Sequence, residues 1–109
     1  MTLNSTEQQR DAAGRAAELI AQQAEGLRRT GSQTTESALR EYASTLRRIA
    51  DSPAVDLTDA DRVQVENASF VLEGLRDGLL TAEFRDRARA INADIRALNE
   101  ILEAYNTSA

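Results

Sequence analysis

The sequence predicts an all-α fold: an antiparallel four-helix bundle-like domain, completed or extended by a second copy of the chain. Strong helix formers (Ala, Leu, Arg, Glu and Gln) dominate, and Pro53 is the only proline. Apolar residues recur at alternating steps of three and four, the spacing of one face of a helix. Each periodic segment is bracketed by a capping residue at its start and a breaker at its end. The 109 residues make one domain over 1–109, long enough to bury a core without disulfides or metal.

The first helix is predicted over about 6–29. Ser5 or Thr6 caps it, Gln8 or Gln9 closes a capping box, and Gly31 ends it. Its seam of Ala13, Ala17, Ile20, Ala24 and Leu27 is rich in alanine, which allows close helix approach. The second, over about 35–51, lines Leu39, Tyr42, Leu46 and Ile49 on one face, and "DSPAVDL" breaks it at Pro53. Thr58 caps the third, over about 58–77, with Asp59 and Asp61 in the first turn where the dipole favours anions. Gly78 ends that helix and Thr81 caps the fourth, over about 82–106, beyond which "NTSA" is a disordered tail.

The fourth helix carries one narrow seam: Phe84, Ala88, Ile91, Ile95, Leu98, Leu102 and Tyr105. The third carries two. Val65, Ala68, Leu72, Leu75 and Leu79 form one; Ala60, Val63, Asn67, Phe70 and Gly74 form a neighbouring one. At about 100° per residue the two span over half the circumference, more than a monomeric bundle uses on one helix. The predicted core is Ile20, Leu27, Leu39, Leu46, Ile49, Leu72, Leu75, Ile91, Ile95, Leu98 and Leu102.

Composition excludes much chemistry. Cys, His and Lys are absent, which removes thiolates, the commonest general base and nitrogen metal ligand, and Schiff-base chemistry. All 13 positive side chains are arginines, a usage that fits a high-GC genome. With Ser and Thr lacking a basic partner, and with no glycine-rich phosphate loop, the expectation is a protein that is not an enzyme and holds no cofactor or metal. A net charge of −5 weighs against general nucleic-acid binding. No stretch reaches the roughly 20 apolar residues of a membrane span, and no apolar leader is visible, so the expected setting is cytoplasmic.

Two surfaces remain. The second seam of helix three (Val63, Asn67, Phe70, Gly74) has no evident mate and is the predicted partner-binding surface. Asn67 there reads first as a polar core residue that sets register, and second as a partner's anchor. Arg85, Arg89 and Arg96, with Asn92 beside them, fall within about 40° on helix four and form a candidate strip for an acidic partner or phosphates. The pairs Arg28–Arg29 and Arg47–Arg48, and Arg76, read instead as last-turn residues that complement helix dipoles. The leading expectation is a protein-binding module acting through helix–helix contacts, with a homodimer included. The alternatives are a dimeric nucleic-acid-binding regulator using the arginine strip and a self-assembling structural component.

Overall fold

The computed structural model describes residues 2–107. Among them are helices α1 (Glu7–Arg28), α2 (Gln33–Ala50), α3 (Asp59–Thr81) and α4 (Arg85–Thr107), and the short strands β1 (Thr2–Asn4) and β2 (Ala54–Asp56). Cross-helix pairs show the directions. Glu25 meets Arg40 and Glu18 meets Arg47 between α1 and α2; Arg48 meets Asp61 between α2 and α3. Asp59 meets Tyr105 and Ser69 meets Asn99 between α3 and α4; Gln9 meets Glu100 and Arg15 meets Asp94 between α1 and α4. Along α1–α2, α3–α4 and α1–α4 the paired residue numbers rise on one helix as they fall on the other, so the helices run up, down, up, down. Helix α1 also touches α3 across the core.

Capping boxes start α1 and α3; the sequence predicts the first, and for α3 it predicts the Thr58 cap but not the reciprocal bond from Asp61. Thr6 Oγ1 accepts from the Gln9 amide while the Gln9 side chain accepts from the Thr6 amide. Thr58 and Asp61 do the same for α3. Asp61 also accepts from Arg48 at 2.8 Å. Burial opposes ionisation of this carboxyl, but the Thr58 amide and the Arg48 guanidinium outweigh it and hold the pKa below its ordinary value.

Four boundaries differ from expectation, one being the start of α4, at Arg85 where about 82 is predicted. Helix α2 starts two residues early, at Gln33, with no side-chain cap. Helix α3 runs through Gly78 to Thr81, so Gly78 is interior, and the Thr81 hydroxyl donates back to the Asp77 carbonyl in place of capping α4. Helix α4 includes Asn106 and Thr107, against the expected tail; Ser108 and Ala109 lie outside the described residues.

The α3–α4 turn is stopped by Glu83, which takes φ of 66°. The Phe84 amide donates to Leu79 O at 2.8 Å and the Glu83 amide to Leu80 O at 3.1 Å, the paired bonds of a Schellman turn. Glycine usually occupies this left-handed position, because a Cβ is penalised there. Glu83→Gly is therefore expected to stabilise the fold by about 0.5 kcal/mol, the relief of left-handed strain exceeding glycine's added unfolded-state entropy. A urea midpoint that falls would show that the turn is not held this way.

Strands β1 and β2 form an antiparallel ribbon in which Leu3 stands opposite Val55. Leu3 and Leu57 are both buried and close the end of the bundle where α1 and α3 begin. The break at Pro53 was expected, but the strand after it was not. Of the predicted core, Ile20, Leu39, Leu46, Ile49, Leu72, Ile91, Ile95 and Leu98 are buried. Leu27, Leu75 and Leu102 pack against the core but stay partly exposed. Helix α4 buries a wider face than one stripe, because Asp94, Ala97 and Ile101 go in as well. Phe84 is a correction: it precedes the helix and is 53% exposed, with the Arg87 guanidinium over its ring. No described helix is long and apolar enough to cross a membrane.

Candidate functional site

Helix α3 buries its first seam through Val65, Ala68 and Leu72 against the rest of the bundle. The second seam turns away from it. Phe70 is 66% exposed and Val63 41% exposed. Ala60 and Gly74 are exposed too, and a Cβ built on Gly74 would meet nothing within 4 Å. Asn67 is half-buried beside them, so it is not the core register residue expected of it. All four predicted partner-binding positions thus lie on one outward face, within about 60° at roughly 100° per residue. Asp59, Glu66, Glu73 and Asp77 run along one edge of that face by the same geometry. Glu66 and Asp77 are paired to Arg62 and Arg76, whereas Asp59 bonds to Tyr105 and, among the described residues, no arginine is within pairing distance of Glu73.

The arginine strip divides. Arg85 and Arg89 line a groove of about 440 Å³ between α3 and α4, together with Arg76, Asn92, Leu80 and Ala88. Arg96 leans the other way, beside Gln8, Gln9 and Glu100 towards α1. Arg76 is not in a last turn, since α3 runs five residues beyond it, so the dipole does not account for it. Its Nη1 donates to Asn92 Oδ1 at 2.9 Å and its Nε to Asp77 Oδ1 at 3.1 Å. The other arginine pairs do sit at helix ends, with Arg28, Arg47 and Arg48 in last turns.

One charged group escaped the sequence reading altogether. Asp94 is buried to 3% exposure and one of its oxygens accepts from both Nε and Nη2 of Arg15, at 3.1 and 2.8 Å. That bond holds the Arg15 guanidinium above its ordinary pKa. The signal was present, because Asp94 lies three residues after Ile91 and four before Leu98, inside the helix-four seam. The pair borders an apolar cleft of about 360 Å³ walled by Leu19, Leu79, Ala90 and Ile91. Among the described residues no three acidic side chains gather closely enough to hold a metal ion.

The bundle therefore offers two candidate surfaces of different chemistry: an apolar stripe on α3 and an arginine-lined groove between α3 and α4. Comparison with family models, with curated proteins and with solved structures found no match.

Proposed function

We propose that this chain is a small non-enzymatic protein-binding module, an inhibitor, adaptor or assembly chaperone of bacterial or phage type working in the cytoplasm. Its partner supplies an amphipathic helix that lies along the second seam of α3, with apolar anchors over Phe70 and Val63 and a basic residue against the acidic edge at Glu73. The observation that carries this reading is Phe70, 66% exposed on a face shared with Val63 in a chain with only four aromatic residues. A phenylalanine left in water forgoes roughly 2 kcal/mol of burial, which a docked helix recovers. Gly74 lets that helix approach the α3 backbone closely.

The test is Phe70→Asp. The side chain touches little of the core, so thermal stability is expected to stay within about 0.5 kcal/mol of the parent. Affinity capture from the native host, followed by mass spectrometry, should recover a partner with the parent and lose it with the variant. Light scattering distinguishes a second copy as the occupant: a dimeric parent and a monomeric variant identify the stripe as a homodimer interface. If the variant matches the parent in both partner capture and mass in solution, the stripe is not a docking surface.

A further inference from the structure

The groove between α3 and α4 gathers three guanidinium groups, and two of them, Arg85 and Arg89, have no firm partner among the described residues. Arg85 forms no ion pair among the described residues. Arg89 reaches Asp86 only at 4.0 Å, with both side chains almost fully in water, where such a contact is worth little. Arg85 also stands in the first turn of α4, where the helix dipole disfavours a cation. Arg76, on the opposite wall, is oriented by Asn92 and Asp77 and keeps its Nη2 free of both bonds. In a chain of net charge −5, the groove is lined by three arginines and, among the described residues, by no acidic side chain.

We propose that the groove binds the phosphate group of a small organic phosphomonoester. Number and geometry favour phosphate over carboxylate. A carboxylate has two oxygens and satisfies one guanidinium fork, whereas a phosphomonoester has three terminal oxygens that accept from several arginines at once. Arg76, Arg85 and Arg89 supply those forks. The volume of about 440 Å³ falls in the range of small-molecule sites and exceeds what a bare phosphate fills. Leu80, half exposed, forms an apolar wall for the organic part of the ligand, with the buried Ala88 beneath it. Arg96, on the far side of α4, takes no part. This site is separate from the α3 stripe, and neither proposal depends on the other.

The experiment is an NMR titration of the full chain, following backbone amides at constant ionic strength, with phenyl phosphate, inorganic phosphate and benzoate as probes. Phenyl phosphate is expected to saturate in the millimolar range and to shift amides of residues 76–92. Inorganic phosphate should bind the same residues more weakly, because it does not use the apolar wall. Arg85→Gln/Arg89→Gln, whose side chains are exposed and whose loss leaves thermal stability unchanged, is expected to weaken phenyl phosphate by at least about tenfold. Three results would overturn the assignment: no saturable shift with phenyl phosphate, equal affinity of the double variant, or benzoate binding as tightly as phenyl phosphate. A short single-stranded oligonucleotide that binds here while phenyl phosphate does not would overturn it too, in favour of a nucleic-acid surface.

Discussion

Leu98→Asp is expected to abolish cooperative thermal unfolding and most of the helical circular dichroism at room temperature. Leu98 is 0% exposed and sits in the inward face of α4 between Ile95 and Ile101. The substitution removes a buried leucine, worth about 2–3 kcal/mol, and puts an unpaired carboxylate in its place at a further cost of several kcal/mol. A chain of this size has a total stability of roughly 5–15 kcal/mol, so the loss takes most or all of it. Asp94, only four residues away, shows what a buried carboxylate in this helix requires: it accepts two hydrogen bonds from Arg15. Leu98 instead belongs to the cluster of buried hydrophobic residues. A variant that kept the parent's melting temperature and mass in solution would show that the α4 seam is not the core.

Ile20→Ala should be the most damaging truncation in α1. Six residues of that helix are buried, and the other five are alanines: Ala12, Ala13, Ala16, Ala17 and Ala24. Alanines bring α1 close to its neighbours but each removes little area from water, so Ile20 holds the one large, fully buried side chain of the helix. Its truncation is expected to cost about 2–5 kcal/mol, the higher end applying if the closely set alanines cannot collapse into the cavity. Melting temperature should fall by about 10 °C or more. Ile20→Val, which keeps most of the volume, should cost only about 0.5–1.5 kcal/mol. Equal effects of the two would mean that the α1 interface relaxes freely and that the alanine seam is not tightly packed.

The arrangement of α3 was largely legible in advance. Its two seams follow from helical spacing alone, and the observation that the bundle covers only one is the structural counterpart of a surplus already visible in the pattern. The α1 capping box and the Thr58 cap are legible for the same reason, being local, while the return bond of Asp61 to Thr58 is seen only in the structure. The α3–α4 turn was misplaced because glycine and threonine are ordinarily the stop and start signals, and here neither acts as one. Gly78 and Thr81 stay helical while Glu83 takes the left-handed position. Packing of Leu79 against the core supports the extra turn of α3. Spacing alone puts Phe84 on the α4 seam, but α4 begins at Arg85 and leaves Phe84 in the turn.

Spacing and composition are enough to say that the chain is helical, where its four helices lie to within a few residues, which faces are apolar, and that its 109 residues carry no thiol, imidazole or Lys amine. All of these are local or compositional properties, set by residues within a turn or two of each other. Tertiary structure alone decided the rest. The β1–β2 ribbon joins residues about fifty apart and three long, too short for alternation to register. The Arg15–Asp94 pair spans 79 residues. The arginine groove exists only because antiparallel packing sets Arg76 of α3 opposite Asn92 of α4, which places Arg85 and Arg89 on the same groove and turns Arg96 away. A helix pattern states which side chains share a face; only the neighbouring helix decides which faces meet, and therefore which charges are gathered into one site.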